Sequence, residues 1–188
     1  MASILAFMAI RNNDKVGAIL FTDRVERHIP PKKGGAHVWR VIREILDFTP
    51  EHRGTDVAQA VDFLSKVSRK QSVAFVISDF YDQGYIDSLK RAARRHDVIA
   101  AHITDPGDAR LPEAGILEGI DLESGRRIQV DCSDKTVRKR WRDAQVQRRK
   151  QALAEFKSAR IDCMQLSTQG SPADVLHGFF RAREKRLR

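Results

Sequence analysis

The sequence predicts an α/β protein built on a mostly parallel sheet. Short runs of consecutive apolar residues, typical of strands covered on both faces, recur along the chain. They alternate with amphipathic helical patterns, and this alternation favours parallel pairing with helices on both sides of the sheet. The three apolar runs are Val16–Phe21, Val73–Ile77 and Val98–Ile103.

The first half of the chain supplies most of this alternation. Residues Val25–Ile29 alternate apolar and polar side chains, as an edge strand does, and Pro30-Pro31 is expected to end that strand. The helical segments carry one apolar stripe each, with spacings of three and four positions. The predicted elements are helix 3–10, strands 16–21 and 25–29, helices 38–46 and 57–67, strand 73–77, helix 85–95 and strand 98–103.

The pattern changes after Asp105-Pro106. Two alternating runs flank Glu123-Ser124-Gly125 and predict a β-hairpin near 115–131, with Gly125 supplying a positive φ. A polar helix at about 135–160, a weaker strand at 161–167 and a helix capped by Ser171 follow. We expect one domain over residues 1–188, in which only the basic segment 181–188 frays.

Composition bounds the class of protein. The chain has 188 residues, of which 41% are hydrophobic and 31% charged, as in soluble globular domains. No apolar run reaches the roughly 18 residues that a membrane helix needs. Cys132 and Cys163 are far apart and outside any CxxC pair, which favours free thiols and a cytoplasmic location. The histidines form no metal-binding pattern.

The net charge of +9 raises a second class of function. Basic residues crowd the helix at 135–150, and the functional interpretation is a surface for nucleic acid or another anionic partner. The structural interpretation is a solvated helix face. The second is favoured because the charge surrounds the helix, no stacking aromatic residues are interleaved, and Trp141 is expected to anchor the helix to the core.

Several short sequence segments carry a family resemblance. In their order and spacing they resemble the von Willebrand factor A-like domain of a prokaryotic family of unknown function, number fifty-eight among such families. The likeness covers essentially the whole chain. The segments are Asp14–Asp23, Pro30–Gly34, Arg53–Asp56, Ile77–Phe80, Arg94–Val98 and Asp105-Pro106.

The resemblance implies a three-layer α/β/α sheet with a metal-ion-dependent adhesion site at the carboxyl ends of its strands. There a cation, usually Mg²⁺, bridges two proteins. By position Thr55 and Asp79 would be metal ligands. The Asp-x-Ser-x-Ser motif that supplies the other ligands is absent, so Mg²⁺ is expected to bind weakly or not at all. From the residues alone, Thr55 could instead cap the next helix, and Asp79 could cap a turn with Asp82 as the following N-cap.

The resemblance also implies that the central first strand is missing. The strands at 16–21 and 73–77 would then face each other with unpaired edges, which destabilise a sheet and favour aggregation or strand exchange. Three outcomes are open. The true start lies upstream, which is favoured; a strand from another chain, such as a second copy, fills the gap; or the two half-sheets close up.

Family members are often encoded beside AAA+ ATPases of the MoxR group. The resemblance therefore implies a non-enzymatic protein-interaction module that works with such an ATPase, or with its client protein, in protein assembly or maturation. Binding of nucleic acid or an anionic surface by the basic helix is the alternative. A metal-assisted hydrolase built on Asp79, Asp82 and His52 or His96 ranks last, because no nucleophile motif or paired-carboxylate motif accompanies them.

Overall fold

A computed structural model gives the fold and describes residues 1–121 and 125–187. Helices and strands alternate through most of the chain, as the sequence predicts. The elements are α1 Ala2–Arg11, β1 Val16–Phe21, β2 Val25–Lys32, α2 Gly35–Leu46, α3 Val57–Val67, β3 Val73–Ser78, α4 Tyr85–Ala93, β4 Asp97–Thr104, β5 Ile116–Ile120, β6 Arg127–Asp131, α5 Lys135–Ala159, β7 Asp162–Ser167 and α6 Pro172–Leu187.

The described residues form three sheets. Strands β3, β4 and β7 make a parallel sheet in that order, while β1 pairs with β2 and β5 with β6 in antiparallel hairpins. In the parallel sheet Val76 lies beside Ala100, and Ala101 beside Met164. The α/β architecture and the hairpin are therefore confirmed. The turn residues 122–124 lie outside the described residues, but Gly125 has the expected positive φ of 70°.

Strand β4 forms the centre of the core. It has a hydrogen-bonded neighbour on each side, and Ile99, Ala100 and Ala101 are fully buried. Alternate side chains point to opposite faces. On one face Ile99 packs in a cluster with Met164 and residues of α1 and α6; on the other, Ala100 packs in a cluster with Phe156 and residues of α3 and α4. The sheet is thus sandwiched between two helical layers.

Strands β1 and β3 are less buried than predicted. The prediction that both are covered on each face is wrong: Val73 is 55% exposed, and every residue of β1 is intermediate or exposed. The reason is that no strand of the described residues lies between them, so β1 and β3 belong to separate sheets. Of the three strands that were read as two-sided, only β4 is flanked on both edges and buried accordingly.

Two helices span the space between β1 and β3. On one side α1 contributes Ile10 to a cluster with Val16 of β1, and Ile4 to the cluster around Ile99 of β4. On the other side Val61 of α3 lies in a cluster that includes Phe21 of β1. The two sheets therefore stay bridged through the helical layers, although their edges do not pair.

One predicted boundary, the end of β2, needs correction. Strand β2 continues through Pro30-Pro31 to Lys32, which is tolerated because proline removes a ladder donor that an edge strand does not need. The fraying of segment 181–188 stays a prediction, and helix α6 continues through Leu187. Arg183 fixes it, with ion pairs of 2.8 Å to Asp97 and 3.1 Å to Asp162 at the amino ends of β4 and β7.

Candidate functional site

A cavity lies between β1 and β3, and we call it the groove. It has a volume of about 670 Å³, with residues 17–21 of β1 along one side and residues 73–78 of β3 along the other. Thr55 and Asp79, the two predicted metal ligands, both line it. The groove occupies the position where the resemblance places a missing central strand.

The loop that carries Thr55 is held against β1. Gly54 has a φ of +84°, which a side chain would strain, and the Asp56 amide donates a 2.9 Å hydrogen bond to the Thr22 carbonyl. The N-cap of α3 is Asp56, whose carboxylate accepts from the Gln59 amide at 2.7 Å. The interpretation of Thr55 as the N-cap is therefore wrong, and its hydroxyl is not used for capping.

Asp79 lies in a tight turn directly after β3. Its carboxylate accepts from the Tyr81 amide at 3.3 Å, and the Ser78 hydroxyl accepts from the Phe80 amide at 3.0 Å. Phe80 has a φ of +54°, which is uncommon for a bulky residue and costs on the order of 1 kcal/mol or more. This backbone turns the Phe80 ring into the core while Asp79 stays exposed at the groove.

Asp82 connects the turn after β3 to α3. Its Oδ2 accepts a 2.9 Å hydrogen bond from the Val57 amide, at the first turn of α3. A carboxylate is favourable there because the helix N-terminus is positive. The prediction that Asp82 caps the next helix is wrong, because Gly84, with a φ of +82°, occupies that position. Asp82 thus helps hold the Thr55 loop and the Asp79 turn beside the same cavity.

The donor chemistry of the groove fits Mg²⁺, but the number of donors does not complete a site. Hydroxyl and carboxylate oxygens are ligands that Mg²⁺ accepts. Asp56 and Asp82, two carboxylates on the same loops, already accept amide hydrogens of α3. The described residues contain no group of three or more metal-binding side chains. Thr55 and Asp79 would therefore hold an ion only together with water or a partner's oxygen.

His96, one of the two histidines of the hydrolase hypothesis, lies away from Asp79. Asp79 follows the carboxyl end of β3, whereas His96 precedes the amino end of β4, and these are opposite ends of a parallel pair. His96 is buried, with Nδ1 3.1 Å from the Ser72 hydroxyl. His52 is exposed.

The basic helix α5 is partly committed to contacts within the protein. Arg138 donates to the Cys132 and Ser133 carbonyls, and Trp141 Nε1 donates to the Asp108 carbonyl at 2.6 Å. Trp141 therefore ties the helix to the loop after β4 through a hydrogen bond, and it does not belong to the core clusters of the described residues. Binding of an anionic polymer by this helix stays a prediction.

The buried His102 gives a pH-dependence that can be measured. Burial lowers the pKa of His102 below its usual 6.5, with Arg149 contributing in the same direction. The unfolded chain therefore takes up a proton more readily, and the stability falls as the pH drops below about 6.5. Urea unfolding at about pH 7.5 and about pH 5.5 should show this loss. His102→Gln should reduce the loss, and the exposed-site control His177→Gln should leave it unchanged; an equal loss in His102→Gln would contradict the assignment.

The fold and the groove together place this chain in the class of α/β proteins. It is Rossmann-like, with a parallel sheet flanked by helices. The chain matches the family model described as a protein of unknown function, DUF58, over residues 1–151, and it belongs to that family.

The relatives are themselves uncharacterized. A protein of Mycobacterium tuberculosis is 29% identical over 135 residues, which cover 69% of this chain and 43% of the relative. A protein of Mycobacterium avium is 32% identical over 109 residues, covering 54% of this chain and 64% of the relative. The chain therefore spans less than half the length of the Mycobacterium tuberculosis relative.

One solved structure has a similar fold. The crystal structure of the conserved hypothetical protein BatB from Bacteroides thetaiotaomicron has a TM-score of 0.60 and an identity of 16%, over all of this chain and 87% of that chain. At this identity the likeness shows the fold alone.

Both cysteines, Cys132 and Cys163, are free. Within the described residues no helix has the length and apolar character needed to span a bilayer.

Proposed function

We propose that this chain is a non-enzymatic protein-interaction module that works with a MoxR-type AAA+ ATPase in protein assembly or maturation. The observation that carries the proposal is that Thr55 and Asp79 line one groove between two strand edges. The resemblance to von Willebrand A-type domains supplies the cation-bridging role for these two residues. Membership of the DUF58 family is consistent with this role but does not assign it.

The groove suits an extended polypeptide. Parallel and antiparallel strands direct alternate backbone groups to their two sides, so half of those of β1 and β3 point towards the groove. These groups gain partners if a strand enters between the two edges, and this mode of recognition is β-augmentation. The groove-lining side chains Ile19, Phe75 and Ile77 are only partly buried and would gain cover. We take the occupant to be an extended, apolar segment of the partner.

The cation would act at the carboxyl end of the groove. Thr55 supplies a hydroxyl and Asp79 a carboxylate, and the remaining positions would be filled by water and by a carboxylate of the partner. A bound cation would supply a charge bridge between the two proteins. Because only two donors come from this chain, Mg²⁺ alone should bind weakly, and partner and cation should stabilise each other's binding.

A pull-down with a MoxR-type ATPase tests this function. Retention of the ATPase should require Mg²⁺ and should fall about tenfold or more in Asp79→Ala, as expected for the loss of a charged bridge worth about 1.4 kcal/mol or more. Circular dichroism should show that the fold is intact. Asp87→Ala, a matched exposed carboxylate on α4, should behave as the unmodified chain does.

The possible results of the pull-down test the bridging role of the cation and the partnership with the ATPase separately. Retention that survives both chelation and Asp79→Ala would show a metal-free interaction and overturn the bridging role. No retention under any condition would overturn the partnership with the ATPase.

A further inference from the structure

A second cavity, which we call the strand-end pocket, lies at the carboxyl ends of β3, β4 and β7 and beneath α5. Its volume is about 260 Å³. The carboxyl ends of parallel strands are where open α/β sheets bind ligands. Its apolar wall includes Phe80, His102 and Leu166, which are exposed by only 5%, 2% and 4% respectively. The pocket is separate from the groove except for Asp79, which lines both.

The pocket has charges of both signs that do not neutralise each other directly. Arg148 and Arg149 enter from α5, while Asp79 and Asp105 enter from the strand ends and Asp108 from the loop after β4. Among the described residues neither guanidinium forms an ion pair with a carboxylate. Arg148 instead lies over the Tyr81 ring, with Cζ 5.7 Å from its centroid. Unlike charges therefore line one cavity without touching, and a ligand that carries both signs would match them.

The pocket also has unused hydrogen-bonding capacity. Arg149 donates through Nη2 to the Gln165 side chain at 2.7 Å, and a guanidinium has five N–H donors in all. Nδ1 of His102 is buried and has no hydrogen-bond partner among the described residues. A buried polar atom without a partner is unfavourable, so a ligand atom that pairs with it is favoured.

We propose that the strand-end pocket binds a small zwitterion of the amino-acid type. Its carboxylate lies towards Arg148 and Arg149, and its ammonium group lies towards Asp79 and Asp105. Arginine suits the planar carboxylate because its N–H groups form a matching fork. A short aliphatic side chain packs against Phe80. This site shares Asp79 with the groove but is otherwise lined by different residues, and it adds small-molecule binding to the proposed interaction role.

Three matched probes test the charge requirement. L-leucine, isocaproate and isoamylamine share one branched chain; the second lacks the ammonium group and the third lacks the carboxylate. Titrations followed by ¹H–¹⁵N NMR should show saturable shifts at the His102 ring and the Arg149 guanidinium. L-leucine should bind about tenfold or more tightly than either half-probe, as expected when one charged contact is lost. No shifts with L-leucine, or equal affinity for isocaproate, would overturn the proposal.

Variants separate the pocket from a general charge effect. Arg149→Gln should weaken L-leucine binding about tenfold or more. Arg140→Gln, an exposed position on the same helix, should leave the affinity unchanged. Arg148→Gln is the second variant if Arg149→Gln loses its fold by circular dichroism. Unchanged affinity in a folded Arg149→Gln or Arg148→Gln variant would contradict the placement of the carboxylate. The ATPase pull-down does not depend on these residues, so the two proposals fail independently.

Discussion

Phe156→Ala is expected to lower the free energy of unfolding by about 3–5 kcal/mol, the usual range when a buried phenylalanine is truncated to alanine. Phe156 is 1% exposed and lies under β4 on the inner face of α5. Its ring centroid is 4.9 Å from that of Phe80 and 5.9 Å from that of Tyr85. The loss combines transfer of the ring to water, an unfilled cavity and broken aromatic contacts.

Denaturant unfolding followed by circular dichroism measures this effect. Val146→Ala is the matched control, because Val146 lies on the same helix and is 41% exposed. Its expected change is about 0.5 kcal/mol or less. If both variants lost the same small amount, α5 would not be packed on the sheet through Phe156. Since typical domains are stable by about 5–15 kcal/mol, the Phe156 variant could remain folded only marginally.

The strand that Phe156 packs against, β4, is the part of the fold that the sequence predicted well. The continuous apolar run in β4 predicted a strand covered on both faces, and its two neighbours and two helical layers bear that out. The same pattern in β1 and β3 led to a wrong prediction of their burial. An apolar run shows that a strand can be buried on both faces, but it does not show whether other elements actually cover those faces. Neighbouring strands supply that cover, and they are not encoded in the run itself.

The candidate site was predictable in part. Thr55 and Asp79 were paired through the family resemblance alone, and both line one cavity. The local backbone was not predictable. Thr55 and Asp56 are adjacent, so a shift of one residue in the start of α3 decides which of them is the N-cap. Phe80 has a positive φ, although bulky residues strongly prefer negative values.

The strand-end pocket could not be predicted from the sequence. Helix α5 is polar around most of its surface, so its pattern does not reveal which side faces the sheet. Ala152 and Phe156 are the buried residues of its inner face, and this orientation places Arg148 and Arg149 at the strand ends. Trp141 was expected to anchor this helix to the core, and the sequence did not indicate its hydrogen bond to the Asp108 carbonyl.

Hydrogen exchange should divide the strands into two groups. Alternate amides of β3 that point towards the groove should exchange about a thousandfold or more faster than the amides of β4, provided that β4 opens only on global unfolding. The reason is that β4 pairs with both β3 and β7, whereas β3 pairs with β4 alone among the described residues. The amides of β3 that bond to β4 act as an internal control within the same strand, because they differ from their neighbours only in direction.

Adding the MoxR-type ATPase turns this measurement into a test of strand binding. If a partner segment enters the groove, the fast amides of β1 and β3 should slow together, because one strand can accept bonds from both edges at once. The amides of β4 should change little. Uniform protection of β3 in the isolated chain would show that its second edge is already paired, as in an assembly that exchanges strands between copies, and size-exclusion chromatography would then show an oligomer. Protection of the β1 edge alone on addition of the ATPase would mean that the partner binds beside the groove and not between its two edges.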